Sequence, residues 1–213
     1  MYSTVEVRWF IPGSIPPEVT TWFHREELRT FAEPARVDYY LHLRDTDGLG
    51  IKLRQGQIEV KQRQGQLGQV QFARWASGLV EQWRKWSFSL VGAGYDFSHQ
   101  PAPAAAWLGV KKERWLRTYR LTDNWQVVPA SLDAPGPGCD LELSQVQVGS
   151  RTWWSLCLEA FGGETKLEQN LLLVASHVLE TTSSSSPLLT VEQSCGYPHW
   201  LCSVGEGIDQ ALA

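Results

Sequence analysis

The sequence predicts an α+β fold on a mostly antiparallel sheet of about eight strands, with three helices between or after them. Three observations predict it. Apolar residues recur with period two over many short stretches, turn residues join those stretches in hairpin order, and a few stretches of helical period interrupt them. With 213 residues and 43% apolar content, the chain can bury one sizeable core.

Residues 4–10 place Val5, Val7 and Trp9 on one face and Thr4, Glu6 and Arg8 on the other, hence a strand. Residues 11–17 (IPGSIPP) are a turn whose prolines prepare a helix. That helix spans 18–32, with Val19, Trp22, Phe23 and Phe31 at roughly helical spacing, and Pro34 ends it. Residues 36–43 are a strand, Asp45–Gly48 a turn, and 50–54 the next strand. Gln55-Gly56 is a tight hairpin turn leading into 57–63. Over 67–86, Val70, Trp75, Leu79, Trp83 and Trp86 suggest a helix with an aromatic stripe, followed by a strand entry at KWSFSL. Residues 92–106, rich in Gly, Pro and Ala, read as a loop.

Residues 108–121 form a long strand or a bent pair, 122–126 a turn, and Trp125 to Val128 a short strand. A sharp turn at 134–138 precedes a hairpin of 139–148 and 152–160 around Gly149-Ser150. Leu167, Leu171, Val174 and Val178 mark a helix over 164–180. Ser183–Ser186 is a linker. The tail has weak strand character at Leu188–Val191 and frays after Gly205.

Composition excludes several classes. The opening residues lack a basic region and a long apolar stretch, so no secretory signal is expected. The longest strong apolar run, Leu171–Ala175, is far short of the ~20 residues a membrane helix needs. Four cysteines, Cys139, Cys157, Cys195 and Cys202, are too few for a disulfide scaffold, and a cytoplasmic setting is the simplest. The eleven Trp suit core and wall packing.

Net charge is −4, but it is segregated. Residues 1–120 carry 17 Lys+Arg against 12 acids, and residues 121–213 carry 2 against 11. On several strands one face is apolar and the other charged. Ile51 and Leu53 oppose Lys52 and Arg54; Ile58 and Val60 oppose Glu59, Lys61 and Arg63. Val110 shares a face with Lys112 and Arg114; Leu141 and Leu143 oppose Asp140 and Glu142; Leu156 and Leu158 oppose Cys157 and Glu159. One reading is a one-sided sheet with a solvated outer face. The other is a barrel with helices over its apolar outside and a charged interior. Such an interior needs a charged ligand, because buried like charges are costly. A basic lining with a few carboxylates suits a phosphate chain clamped by Arg and Lys, with a divalent cation on the carboxylates.

The order Glu6-x-Arg8, Asp38-Tyr39-Tyr40-Leu41, Lys52-x-Arg54, Glu59-x-Lys61, Lys112-x-Arg114 and Glu159 resembles the CYTH superfamily, the triphosphate tunnel metalloenzymes. The resemblance covers about residues 4–180. It implies a closed eight-stranded antiparallel barrel with a charged tunnel and helices packed outside. The domain would be 1–182, with 183–213 a linker and tail that may pack on the barrel. It further implies that Arg8, Lys52, Arg54, Lys61, Lys112 and Arg114 bind phosphates. Glu6 and Glu159 would hold Mg2+ or Mn2+ and be catalytic in hydrolysis of a terminal phosphate, with Asp140 or Glu142 of the neighbouring strand supplying a further acid and Glu142 taken as the third metal ligand. The family opens with E-x-E-x-K and closes with E-x-E. Here Thr4 and Cys157 stand where a first carboxylate belongs, and Arg8 replaces the lysine.

The expected ligand is therefore a small-molecule triphosphate or polyphosphate. Turnover is open, and a non-catalytic anion-binding module is the alternative. A lipocalin-like barrel for an apolar ligand would reverse the faces, apolar inward and charged outward. Cys195-x3-His199-x2-Cys202 lacks a fourth zinc ligand and reads as packing. Aromatic and basic residues interleave at Arg84–Trp86 and Lys112–Trp115, but the acidic last third argues against a nucleic-acid surface. The scattered histidines (His24, His42, His99, His177) and Gly92-Ala93-Gly94 define no site, and the sequence holds neither a P-loop nor a nucleophile elbow.

Overall fold

The computed structural model describes residues 1–25, 30–44, 46–89, 106–180 and 187–212, the last eight of these by backbone alone. The loop expected at 92–106, the linker at 183–186, His99 and Gly92–Gly94 lie almost wholly outside the described residues.

Nine strands are seen among the described residues: β1 (Tyr2–Pro12), β2 (Phe31–Leu41), β3 (Leu49–Arg54), β4 (Gln57–Ala73), β5 (Ala76–Ser89), β6 (Trp107–Leu121), β7 (Val127–Ala130), β8 (Gly138–Val148) and β9 (Arg151–Phe161). Their order is β2-β3-β4-β5-β1-β9-β8-β6, with β7 added beside β6. An antiparallel β2–β6 pairing, from Phe31 opposite Leu116 to Leu41 opposite Trp107, closes eight of them into a barrel. Closure removes the sheet edges and fixes an inside and an outside for every strand. The hairpin signals are local. Gln55 and Gly56 both have positive φ (48° and 75°), the two left-handed residues of a two-residue hairpin turn.

The apolar faces point outward. Val5, Val7 and Trp9 of β1, Leu141 and Leu143 of β8, and Leu156 and Leu158 of β9 are buried in one cluster. They lie there with Leu167, Leu171, Val174, Ala175 and Val178 of helix α2 (Leu167–Glu180). Helix α1 (Pro17–His24) adds Val19 and Phe23 to the same cluster. The main hydrophobic core thus lies between barrel and helices, and the inward positions around the cavity are left mostly to charged groups.

The structure corrects three sequence expectations. The first helix stops at His24, and Phe31, expected on it, begins β2. Pro34 does not end a helix. It sits within β2 where the register to β6 shifts between Glu33 and Arg36, a bulge at which its missing N–H breaks no ladder bond.

Residues 67–86 are not a helix but the end of β4 and most of β5, joined by a turn at Arg74-Trp75. Register shifts at three places along β4 break its alternation. Aromatic residues from the turn (Trp75) and the inside (Trp83) therefore fell at helical spacing by coincidence. Gly68 and Gly78, both within this stretch, are unfavourable in a helix interior.

The tail is more ordered than the sequence suggests. Leu189 pairs with Ala76 and Ser194 with Trp9, and helix α3 runs Tyr197–Leu212. The Cys195 N–H donates to the Arg8 carbonyl and the Leu79 N–H to Ser194 Oγ. Trp200 then lies flat on Phe10, ring centroids 4.4 Å apart, and Tyr197 flat on Tyr40 at 5.2 Å. Trp200, Leu201 and Val204 join Phe10, Tyr40, Val110 and Val146 in a second core that stops one end of the barrel.

The plug approaches closely at Gly196, where a Cβ would meet Trp83 Cζ2 at 2.6 Å and Glu81 Oε2 at 2.9 Å. Gly196→Ala should cost about 1–3 kcal/mol of overpacking. The melting temperature should fall by about 2–12 °C in a thermal scan, and an unchanged value would mean that the segment is not seated on Trp83.

Candidate functional site

The closed register decides which side chains meet. Glu6 stands opposite Glu159 on β9 and Glu81 on β5; Arg8 stands opposite Cys157. Lys52 faces Tyr40 and Glu59 across its two neighbours, and Lys61 faces Lys85. Arg114 faces Glu33 and Ser144. All nine residues singled out from the sequence line one cavity of about 100 Å³: Glu6, Arg8, Lys52, Arg54, Lys61, Lys112, Arg114, Glu142 and Glu159. The lining also includes Glu59 and Tyr40, which belong to the residue order that carries the resemblance, and Lys85, Trp83 and Tyr197, which belong to no motif. Lys85 and Trp83 were hidden by the helical reading of 67–86, although their odd-numbered alternation with Glu81 was a usable signal. Tyr197 comes from the tail, and no local pattern pointed it at the barrel.

Three ion-pair groups line the cavity. In the most buried, Glu142 accepts from Arg8 Nη1 (2.8 Å), Lys112 Nζ (2.9 Å) and Arg114 Nη1 (3.1 Å), and from Ser144 Oγ. In the second, Lys61 Nζ donates to Glu6 Oε2 and, at 3.2 Å, to Glu159 Oε1. In the third, Glu59 pairs with Lys52 (2.9 Å), Lys85 (3.3 Å) and Arg54 (3.3 Å). Beside the cavity lining, Glu33 joins Arg114 to Arg36, the buried Asp38 joins Arg36 (3.0 Å) to Lys52 (3.9 Å), and Arg63 joins Glu81 (3.0 Å) to Asp47 (2.7 Å).

The titration shifts follow from burial set against these partners. Burial alone would push the Glu142 carboxyl up, but Lys112, Arg8 and Arg114 together hold it well below the usual range. Glu59, beside Lys52 and Lys85, and Glu159, beside Lys61 and Lys85, are each held at about 2 against the same burial effect. Lys61 is pushed the other way from most buried lysines: burial lowers it, yet Glu159 and Glu6 raise it well above its ordinary value. Lys52 and Lys112 are lowered to about 8, because burial outweighs their carboxylate partners.

Positive charge is in excess. Seven cations and four carboxylates line the cavity. Four lining donors are buried without a hydrogen-bond partner among the described residues: Arg8 Nε, Arg114 Nε, Trp83 Nε1 and the Tyr197 hydroxyl. What the cavity lacks is acceptors.

The donor set does not fit a resident divalent metal. Glu6 and Glu159 share the Lys61 ammonium, and Glu142 is surrounded by three cations. Thr4 and Cys157, at the two positions where the resemblance calls for further carboxylates, are each 1% exposed. Burial keeps the Cys157 thiol well above its ordinary pKa and so uncharged. Among the described residues no group of three or more His, Cys, Asp or Glu side chains is placed to hold a metal ion. Cys195 and Cys202 flank the plug, and Cys202 Sγ donates to the Leu43 carbonyl.

No family model matches the chain, and no curated protein matches it. Among solved structures it is similar to a conserved hypothetical protein from Pyrococcus furiosus. The two share 11% identity and a TM-score of 0.41, over 90% of this chain and 94% of that one. Among the described residues no helix is long and apolar enough to cross a membrane.

Proposed function

We propose that the barrel binds a small triphosphate- or polyphosphate-like anion in its basic cavity. The observation that carries this reading is the pairing of a three-charge cationic excess with four buried donors that have no acceptor. An acceptor-rich polyanion supplies both deficits at once. Guanidinium groups suit phosphate oxygens because their donors form a planar fork, and Arg8, Arg54 and Arg114 all line the cavity. The ligand enters opposite the plug, past Arg54 and Lys85, and its leading phosphate settles beside Arg8, Lys112 and Arg114. An apolar-ligand barrel requires the opposite arrangement of faces, since here the apolar residues point outward to α2.

Binding, rather than turnover, is the activity this side-chain set supports best, because every lining carboxylate is already engaged by a cation. A second reading, hydrolysis of a triphosphate that arrives as its Mg2+ or Mn2+ salt, draws on the adjacent carboxylates of Glu6 and Glu159. Two measurements separate the readings. Tripolyphosphate should raise the melting temperature, since a ligand that binds only the folded state must stabilise it. Phosphate release with Mg2+ should stay at background, the same in wild type and Glu6→Ala. Release that depends on Glu6 would establish the second reading, and no thermal shift with any polyphosphate would remove both.

The lysines near 8 give the binding a pH signature. In the folded protein Lys52 and Lys112 lose their charge as the pH rises through about 8. Affinity for tripolyphosphate should therefore fall roughly 10-fold or more between about pH 7 and pH 9.5 in calorimetry. Stability moves the other way. The unfolded chain keeps these two protons up to the ordinary lysine value, so their contribution to the free protein's stability rises between about pH 8 and 10.5. A flat affinity over that range would show that neither lysine contacts the ligand.

A further inference from the structure

Tyr197 is the first residue of α3 and belongs to the plug, yet its side chain forms part of the cavity wall. Its ring is held from two sides. It stacks flat on Tyr40, and it stands edge-on to Phe10 and Trp200 at 5.0 and 5.5 Å. Two of the most buried cations, Arg8 and Lys112, lie 5.0 and 5.2 Å from the ring centroid. The hydroxyl of this well-fixed ring is buried and has no hydrogen-bond partner among the described residues. A buried hydroxyl with no partner is costly, and here it lies among groups that are themselves mostly donors. Burial keeps the phenol protonated, so it can donate.

Resting on the anion-binding reading above, we infer that Tyr197 is a ligand-contacting residue. Its phenol donates to the innermost anionic oxygen that Arg8 and Lys112 also hold, and so links ligand binding to the seating of the C-terminal helix. The link follows from connectivity. The donor that touches the ligand belongs to the segment whose other contacts, Trp200 on Phe10 and Leu201 and Val204 beside Val110 and Val146, close the barrel. A ligand that binds only with Tyr197 in place stabilises the plugged state by the same factor as the plug strengthens binding.

Tyr197→Phe tests this with the full chain. Phe keeps the stacking and the ring faces offered to Arg8 and Lys112, and it removes only the hydroxyl. Since that hydroxyl has no partner in the free protein, the ligand-free melting temperature should be unchanged or raised. Tripolyphosphate affinity, measured by calorimetry, should fall about 10- to 100-fold, the usual range for one hydrogen bond to a charged group. A purely structural tyrosine would move stability and affinity down together.

Hydrogen exchange on the wild-type protein adds a readout that needs no variant. Saturating tripolyphosphate should slow exchange at the amides of residues 197–204. If wild type binds but Tyr197→Phe binds within twofold of it, or if exchange in 197–204 is unaffected, the inference is overturned while the anion-binding reading stands. If wild type binds no tripolyphosphate, the reading fails and the inference with it.

Discussion

Replacing Glu142 with Gln is expected to lower the melting temperature by about 6–20 °C in anion-free buffer. Glu142 is 7% exposed and is shared by Arg8, Lys112 and Arg114. Removing its charge leaves the buried Arg8 and Lys112 without their carboxylate, while Arg114 keeps Glu33, and breaking a buried pair in this way costs about 3–5 kcal/mol. For a domain of this size each kcal/mol is worth about 2–4 °C. Millimolar tripolyphosphate should restore most of the loss, because the leading phosphate would stand beside the same three cations. The recovery in Glu142→Gln should exceed the shift in wild type. A destabilised variant that tripolyphosphate fails to rescue would place the ligand elsewhere.

The second large effect is on affinity. Arg8→Met should weaken tripolyphosphate binding by about 100-fold, from the loss of one or more charge-assisted bonds in the most buried ion-pair group. Met fills much of the arginine's volume between Phe10 and Tyr197, and Glu142 keeps Lys112 and Arg114 as partners. Arg54→Met, at a side chain 26% exposed against 6% for Arg8, should cost less, roughly 3- to 10-fold, and should do so in a salt-dependent way. Equal losses from the two variants would contradict an entry at Arg54 and a seat at Arg8.

Much of the fold was legible because its signals are local. The hairpins at Gln55-Gly56 and Gly149-Ser150 and the α2 stripe each depend on a few neighbouring residues, and each is present where the sequence puts it. The nine expected site residues share one cavity because a closed antiparallel barrel turns every second residue inward, so alternation on separate strands becomes convergence in space. The misread parts depend on strand pairing that no local pattern shows. Pro34 is tolerated only because β2 bulges against β6, and the 67–86 strands break their own alternation at register shifts that follow from pairing with β5. The α3 plug is specified by aromatic surfaces on Phe10, Tyr40 and Trp153, far away in sequence, so 187–213 read alone shows weak strand character at Leu188–Val191 but no helix. The same distance hid the hydroxyl of Tyr197 from any motif.

The packing gives a physical reason for uncharged residues at Thr4 and Cys157. Both positions face inward and are sealed from water, so a second carboxylate at either would add negative charge beside Glu6 or Glu159, which a single lysine already bridges. The cavity has the charge balance of an anion receptor: its carboxylates position cations, and its free hydrogen-bonding capacity consists of donors.

The most direct measurement is isothermal titration of chelator-treated, full-length protein with tripolyphosphate at about pH 7 and low salt. Saturable binding of one tripolyphosphate per chain, with an affinity that added Mg2+ leaves within about threefold, is the predicted result. No heat of binding, or binding that appears only when Mg2+ is supplied, would contradict a cavity whose own cations recognise the anion.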